Sequence, residues 1–255
     1  MMLNDQAAIV TGAAHPDGIG FAIARTLAEA GAGVVLVDLD AAACERAAAL
    51  LNAGLPAAPA SRVIGMAADV RSGAALAEVV ACAKERFGRL DVVVSNAGIA
   101  QARKLLDITD QDWQTTLDVN LRGTLNLSQA AIPHMQDGGA IICIASIAAQ
   151  RGGGLLGGPH YAASKGGVLA LAKSMARELG ARSIRVNCVN PGIIITPMNV
   201  NAFDEATQQR FIETIPLQRF GTPQDVANVC LFLASPLAGY ITGTAVDING
   251  GMHIH

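Results

Sequence analysis

The chain has 255 residues, of which 18 are basic and 21 acidic, so its formal net charge is −3. Because the charges nearly balance and no basic run occurs, the sequence excludes a nucleic-acid partner. Hydrophobic residues make up 51% of the chain. Charged residues, Pro, Asn or Gly nevertheless interrupt each apolar stretch before about 18 residues, which excludes a membrane-spanning helix. Five scattered cysteines without a CxxC pair, and the lack of a secretory signal, lead us to expect a cytoplasmic protein.

Short β-branched runs alternate along the chain with longer, Ala-rich segments. The pattern predicts strands at 7–11, 34–38, 63–67, 92–95, 140–145, 184–189 and 245–248, and helices at 19–31, 41–53, 73–87, 111–135, 161–180, 204–214 and 223–234. Continuous apolar strands such as 34–37 are typical of a parallel sheet that is buried on both faces. We therefore predict the α/β class: one Rossmann-like domain over residues 1–255, with a doubly wound, seven-stranded parallel sheet between two helix layers.

A glycine-rich loop follows the first predicted strand, where Gly12, Gly18 and Gly20 lie in the segment TGAAHPDGIG and Ile19 opens the next helix. Glycines at this point allow a tight turn and let backbone N–H groups approach a pyrophosphate at the helix N-terminus. An ordinary turn between a strand and a helix can contain the same glycines. The loop therefore indicates a dinucleotide site only together with other motifs.

Asp38 closes the second predicted strand, 18 residues after Gly20. An acidic side chain there can accept hydrogen bonds from both hydroxyls of an adenosine ribose, and its charge repels a 2′-phosphate. No Lys or Arg occurs in the glycine loop or directly after Asp38, so we predict NAD as the cofactor and NADP as the less favoured one. The alternative role, capping the next helix, suits Asp40 better.

Tyr161 and Lys165 stand four residues apart at the start of a predicted helix. That spacing places both side chains on one helix face. An ammonium group beside a phenol favours the phenolate, which makes the tyrosine a candidate general base near neutral pH.

With these motifs the chain resembles the short-chain dehydrogenase/reductase family from Ala8 to Gly251. Further matching motifs follow the predicted strands: Asp69-Val70, Asn96-Ala97-Gly98, Ser146, and the run PGIIIT at 191–196. Another, Asn120, lies in the long predicted helix. The resemblance implies four catalytic residues: Tyr161 as general acid/base, Lys165 lowering the pKa of Tyr161 and holding the nicotinamide ribose, Ser146 binding the substrate oxygen, and Asn120 supporting a proton relay through water.

The resemblance also implies the cofactor contacts. They are Gly12, Gly18, Ile19 and Gly20 at the phosphates, Asp38 at the ribose, Asp69 and Val70 at the adenine, Asn96 and Gly98 along the adenosine, and Tyr161, Lys165, Pro191, Gly192, Ile194 and Thr196 at the nicotinamide end. No metal site is predicted, because no cluster of carboxylates or cysteines supports His253 and His255 as ligands. In this family long helices such as 111–135 and 161–180 pair between subunits, so we expect a homo-oligomer, and most simply a tetramer.

The chain departs from the family pattern in two places. Gly12 and Gly18 enclose five residues where three are usual. That length is similar to the enoyl-thioester reductase branch, but the branch spaces its Tyr and Lys seven apart, which disfavours it here. Ser146 also precedes Tyr161 by 15 residues, slightly more than usual.

Three further features have two interpretations each. The segment 198–215 is either a substrate lid or an ordinary surface helix. His160 either lines the substrate pocket or faces solvent at the helix start. Trp113 has helical spacing with Leu117 and Leu121, which favours core or subunit packing over ligand stacking.

The motifs together predict an NAD(H)-dependent oxidoreductase that interconverts a small secondary alcohol and a ketone. One alternative is a 3-oxoacyl-(acyl-carrier-protein) reductase, which Asp38 disfavours, as does the lack of a Lys/Arg cluster at 133–137. The other is a non-catalytic dinucleotide-sensing regulator, which the complete catalytic set disfavours.

Overall fold

The computed structural model describes residues 2–55, 62–153, 157–196 and 204–254. Within them the strands are β1 (Ala7–Thr11), β2 (Gly33–Asp38), β3 (Val63–Ala67), β4 (Val92–Ser95), β5 (Ala140–Ile144), β6 (Arg185–Pro191) and β7 (Ala245–Ile248). They form one parallel sheet in the order β3-β2-β1-β4-β5-β6-β7. The predicted seven-stranded α/β fold is confirmed.

The helices of the described residues are α1 (Ile19–Glu29), α2 (Ala41–Gly54), α3 (Gly73–Phe87), α4 (Asp110–Leu117), α5 (Gly123–Ala131), α6 (Ala148–Arg151), α7 (Pro159–Leu179), α8 (Glu205–Glu213) and α9 (Pro223–Ala234). Two apolar clusters flank the sheet. Side chains of α1, α2 and α9 pack on one face, and side chains of α3, α5 and α7 pack on the other. No described helix is both long and apolar enough to cross a membrane.

Alternation along each strand explains the two layers. Ala8 and Val10 of β1 belong to one apolar cluster, whereas Ile9 between them belongs to the other. Successive side chains of a strand point to opposite faces, and both faces of this sheet are covered. This double burial is why the strands are continuous apolar runs in the sequence.

The strand order reverses between β1 and β4. From β1 the chain adds β2 and β3 on one side, then returns to place β4 on the other side of β1. Loops at the carboxyl ends of these two strands therefore diverge and leave a crevice, which is where open α/β sheets bind ligands.

The predicted helix over 111–135 is confirmed as a continuous helical segment from Asp110 to His134. Its winding changes along its length: α4 is followed by a π turn at Asp118–Arg122, then α5, then a 3-10 turn at Ile132–His134. Pro133 lies in the final turn and lacks an N–H for a regular helical bond. The short helix α6 was not predicted at all, because a single helical turn is too short to show a periodic pattern.

Candidate active site

A cavity of about 870 Å³ opens at the carboxyl edge of the sheet. It is lined by most of the residues predicted for the site: Gly12, Gly18, Ile19, Asp38, Asp69, Val70, Asn96, Gly98, Ser146, Tyr161, Lys165, Pro191, Gly192, Ile194 and Thr196. The lining does not include Gly20 or Asn120. The lining also includes Arg71, Arg151, Phe211 and Met252, which the sequence motifs do not reveal.

The glycine loop forms a close-packed cradle. Gly12 has φ +65°, and a Cβ atom there would lie 2.8 Å from the Ala97 Cα atom. A Cβ atom on Gly20 would strike the Gly12 carbonyl oxygen and lie 2.6 Å from Asn96 Nδ2. These glycines therefore let the helix and the neighbouring strand approach the loop, as a dinucleotide site requires.

The two extra residues of the loop are absorbed in a tight turn. The Gly18 N–H donates to the His15 carbonyl oxygen at 2.8 Å, and the Asp17 N–H donates to His15 Nδ1 at 3.2 Å. His15, Pro16 and Asp17 in this turn are exposed, and His15 also lines the cavity. Gly18 and Ile19 still lie at the N-terminus of α1 and line the cavity.

Asn96 fastens the glycine loop to β4. Its side-chain amide donates to the carbonyl oxygens of Thr11 and Gly12, both at 2.9 Å. The Thr11 hydroxyl oxygen in turn accepts from the backbone N–H groups of Asn96 and Ala97, at 3.1 and 3.2 Å. Asn96 therefore shapes the loop in addition to lining the cavity.

The Asp38 carboxylate is held by two backbone amides at the end of β2. Oδ2 accepts from the Ala14 N–H at 3.0 Å, and Oδ1 accepts from the Leu39 N–H at 2.8 Å. A carboxylate has about four acceptor positions, so sites remain for ribose hydroxyls. Asp40 caps α2 by accepting from the Ala43 N–H at 3.0 Å, as predicted.

Asp69 is engaged by a neighbouring arginine. Arg71 Nη2 lies 2.6 Å from Asp69 Oδ2, and the hydrogen bond from this guanidinium lowers the pKa of Asp69. The carboxylate expected to meet an adenine amino group therefore already has a cationic partner in the cavity wall. The Arg71 N–H also donates to Asp69 Oδ1 at 2.9 Å, so the turn between the two residues adds a second contact.

Ser146, Tyr161 and Lys165 converge at the other end of the cavity. Ser146 lies two residues after the end of β5, and its Oγ accepts from the Ala148 N–H at 3.1 Å. Lys165 Nζ lies 6.0 Å from the centre of the Tyr161 ring and donates to the Ile144 carbonyl oxygen at 2.7 Å. One turn of α7 thus presents a phenol and an amine beside a hydroxyl group.

Burial is the main influence on the pKa values of Tyr161 and Lys165. It raises the pKa of Tyr161, while a hydrogen bond with Ser146 acts in the opposite direction. Burial also lowers the pKa of Lys165 to about 8. The pKa of Tyr161 is thus raised, whereas the neighbouring Lys165 was expected to lower it, because desolvation of the phenolate outweighs the interactions that favour the phenolate.

Asn120 joins the loop after β4 to α7. It lies in the π turn, where its Nδ2 donates to the Ile99 carbonyl oxygen at 2.9 Å and to Ser164 Oγ at 3.0 Å. Its Oδ1 accepts from the Ile99 N–H at 2.8 Å. The side chain is 1% exposed and its polar atoms bind protein groups. The structure therefore gives Asn120 a contact with the site walls, and the proton relay stays a prediction.

His160 matches neither of its two interpretations. It is fully buried, and the cavity lining does not include it. Its Nε2 lies 3.2 Å from Gln101 Oε1, so the ring packs between α7 and the loop after β4. Trp113 is 44% exposed, which excludes the core as its place and leaves subunit packing as a prediction.

The segment 198–215 is described only from residue 204. Residues 198–203 lie outside the described part, as does His255. From 204 the chain forms α8, an exposed helix of which Phe211 lines the cavity. The residues that the structure describes contain no group of three or more His, Cys, Asp or Glu side chains that could hold a metal ion.

Comparison with known proteins places the chain in a family. A family model described as enoyl-(acyl carrier protein) reductase matches residues 12–253. An uncharacterized short-chain type dehydrogenase/reductase of Sinorhizobium fredii is 46% identical, and the alignment covers 100% of both chains. A 3-oxoacyl-(acyl-carrier-protein) reductase of Thermotoga maritima is 38% identical, again over 100% of both chains.

Solved structures agree with these relatives. A short-chain dehydrogenase/reductase of Brucella melitensis, described as a glucose/ribitol dehydrogenase, superposes with a TM-score of 0.91 at 36% identity, covering 100% of this chain and 99% of that one. A blue fluorescent protein from a metagenomic library, in complex with NADPH, gives 0.88 at 36% identity over 100% of both chains. The chain belongs to the short-chain dehydrogenase/reductase family, and it is an oxidoreductase that acts on hydroxyl or keto groups.

Proposed function

We propose that this protein is an NAD(H)-dependent oxidoreductase that interconverts a secondary alcohol and a ketone, with Tyr161 as the general acid/base. The observation that carries the proposal is one continuous cavity with Asp38 at one end and Ser146, Tyr161 and Lys165 at the other. The glycine cradle, which a Cβ atom would fill at Gly12 and Gly20, fits a dinucleotide between these ends.

The chain's own residues move the proton. In alcohol oxidation the Tyr161 oxygen accepts the hydroxyl proton while the substrate carbon loses a hydride, and Ser146 holds the substrate oxygen. When bound, a nicotinamide dinucleotide supplies the hydride acceptor for oxidation and the donor for reduction. In reduction Tyr161 returns its proton to the oxygen that develops negative charge on the ketone.

Lys165 provides the positive charge that this transfer needs. Its pKa of about 8 leaves the amine mainly protonated at neutral pH. Because burial raises the pKa of Tyr161, the phenolate depends on a cation close by. Lys165, 6.0 Å from the ring centre and on the same helix face, is placed to supply it.

Asp38 supports NAD rather than NADP. Its carboxylate is fixed at the end of β2, where a 2′-phosphate would meet a negative charge. The solved relative in complex with NADPH makes a direct test necessary. Titration with NAD and NADP, followed by reduced-cofactor absorbance across polyols, sugars, hydroxy acids and aromatic alcohols, tests both cofactor and reaction. Preference for NADP would overturn this interpretation of Asp38.

The variant that tests the role of Tyr161 in proton transfer is Tyr161→Phe. It removes the proton-transferring oxygen and keeps the ring that packs in the cavity wall, so we expect NAD binding without appreciable turnover. Unchanged turnover would contradict the role of Tyr161. NAD binding by the wild-type protein without turnover of any alcohol or ketone would favour the dinucleotide-sensing alternative.

A second candidate is reduction of a 3-oxoacyl thioester on an acyl carrier protein, which the name of the Thermotoga relative favours. An acidic carrier would need cations at the helix end, residues 133–137. Arg182 contacts this segment, but its guanidinium is already paired with Asp137 at 2.8 Å. Salt-sensitive binding of acyl carrier protein would favour this candidate over a small alcohol.

We also propose a cytoplasmic homotetramer. The exposed Trp113 on α4 and Leu125 on α5 lie on the helices that pair between subunits in this family. Sedimentation equilibrium of the wild-type protein tests the assembly, and a monomer would contradict it.

A further inference from the structure

One arginine stands at the catalytic end of the cavity. Arg151 is the last residue of α6, and it lines the cavity together with Gly152, Gly153 and Met252. Its Nη1 donates to the Met252 carbonyl oxygen at 3.2 Å. That hydrogen bond uses one of the five N–H donors of the guanidinium and holds the side chain against the C-terminal segment.

The charge of Arg151 has no carboxylate partner in the described residues. Arg71, another arginine of the lining, is paired with Asp69, and Lys165 is buried with its Nζ on the Ile144 carbonyl oxygen. No ion pair within the described residues includes Arg151. Within the described residues, Arg151 thus presents its charge to the cavity without an ion-pair partner.

Ser146 and Arg151 stand close together in the chain, and both line the cavity. The Ala148 N–H donates to Ser146 Oγ, and the Arg151 N–H donates to the Ile147 carbonyl oxygen at 3.0 Å. Arg151 thus follows Ser146 by five residues, which corresponds to roughly 7.5 Å along a helix axis at about 1.5 Å per residue. An anion held by Arg151 therefore belongs to a different part of the substrate from the carbon that reacts beside Ser146.

The wall near this turn is largely apolar. Ile147, Ala148, Ile193 and Phe211 line the cavity with Met252. Such a wall binds hydrocarbon better than a polyhydroxylated chain, because sugar hydroxyls would lose hydrogen bonds with water without replacement. A hydrocarbon segment of a substrate therefore fits this wall.

We propose that Arg151 binds the carboxylate of the substrate, and that the protein acts on hydroxy acids and the corresponding oxo acids. This inference rests on the proposed alcohol–ketone oxidoreductase activity and names its substrate class. A single planar guanidinium matches one carboxylate in a bidentate arrangement. The reaction balances as a hydroxy acid plus oxidised dinucleotide giving an oxo acid, reduced dinucleotide and one proton.

The kinetic test compares substrates that differ only at the anionic end. Straight-chain hydroxy acids with increasing numbers of methylene groups between hydroxyl and carboxylate are assayed beside their methyl esters. The wild-type enzyme should have the lower KM for the acid at the best spacing. Arg151→Ala should raise that KM about tenfold or more, the loss expected for a charged hydrogen bond, and leave the ester KM unchanged. Arg151→Lys should recover part of the loss.

Arg86→Ala is the matched control, because Arg86 is exposed on α3 and does not line the cavity. It changes the net charge equally and should leave both KM values unchanged. Equal KM values for acid and ester in the wild-type enzyme would overturn the proposal. The proposal would also be overturned if Arg151→Ala raised the KM values of the acid and the ester equally, or raised only the KM values of acyl thioesters.

A binding measurement separates this proposal from the proposed function. Calorimetric titration with the matching alkanoate, which lacks the hydroxyl group, should show binding to the wild-type protein and about tenfold weaker binding to Arg151→Ala. If the oxidoreductase proposal fails, no acid, ester or neutral alcohol is oxidised, yet this alkanoate difference persists. If only the carboxylate proposal fails, neutral alcohols or esters are oxidised and the alkanoate difference is missing.

Discussion

Gly20 lies so close to Asn96 that a Cβ atom at position 20 would be 2.6 Å from the Asn96 Nδ2 atom. The same amide holds the Gly12 carbonyl oxygen at 2.9 Å. The shape of the cofactor loop therefore depends on a contact between the first turn of α1 and the residue after β4.

Replacing Gly20 with alanine should distort this loop. The added methyl group must displace the Gly12 carbonyl or Asn96, and overpacking of this kind costs about 1–3 kcal/mol. We expect lower NAD affinity, measured by fluorescence titration, together with a lower unfolding midpoint. Gly180→Ala is the control, because a Cβ atom there meets no atom within 4 Å. Equal NAD affinity in Gly20→Ala and wild type would show that the loop accommodates the methyl group.

Replacing Asp38 with serine should shift cofactor preference toward NADP. Close like charges cost several kcal/mol, so removing the carboxylate should lower the ratio of the NADP Kd to the NAD Kd by about tenfold or more. Asp40→Ser is the control: serine can still cap α2, and the carboxylate removed is not the one predicted to meet the ribose. An unchanged ratio of the two Kd values in Asp38→Ser would show that Asp38 does not determine the preference for NAD.

Lys165 should destabilise the folded protein at neutral pH. Burial lowers its pKa from 10.5 to about 8, so the unfolded chain binds more protons than the folded chain between these pH values. Stability from this residue therefore rises with pH across that window, and the full penalty, about 3 kcal/mol, acts below it.

Lys165→Met should accordingly raise the free energy of unfolding at pH 7 while abolishing turnover. The gain is reduced by loss of the hydrogen bond to the Ile144 carbonyl oxygen. Urea unfolding of both proteins should show the difference shrinking as the pH rises from 8 toward 10.5. Parallel stability curves would mean that the lysine is not desolvated as the structure shows.

Removing the Arg185 guanidinium should destabilise the end of α9. This buried side chain donates to the carbonyl oxygens of Leu233, Ala234 and Ser235, at 2.5, 3.3 and 3.4 Å. Arg185→Ala leaves them without these donors, and we expect unfolding to become easier by about 2–4 kcal/mol. The exposed Arg86→Ala should stay within about 0.5 kcal/mol of wild type. Equal unfolding midpoints would assign the capping of α9 to other contacts.

The strands were predictable because β-branched residues buried on both faces leave an unbroken apolar run, as at 34–37. Asp38 and Asp40 were distinguishable because one ends a strand and the other precedes a helix. The change of winding within the long helix was not predictable, because a single π turn leaves no periodic pattern in the sequence; Asn120 in that turn binds Ile99 and Ser164. Arg71 and Arg151 were missed because their cavity positions follow from loop and turn geometry rather than from spacing. The pKa of Tyr161 depends on burial, which a motif does not report.

Asp38 also bears on the thermodynamics of cofactor binding. Two backbone amides already fix its carboxylate, so the rotamer entropy of this side chain is lost when the chain folds and not when a dinucleotide arrives. Immobilising such a side chain during association typically costs about 0.5–1.5 kcal/mol. The carboxylate that we propose as the ribose contact is therefore preorganised, and its contribution to affinity is not reduced by its own ordering.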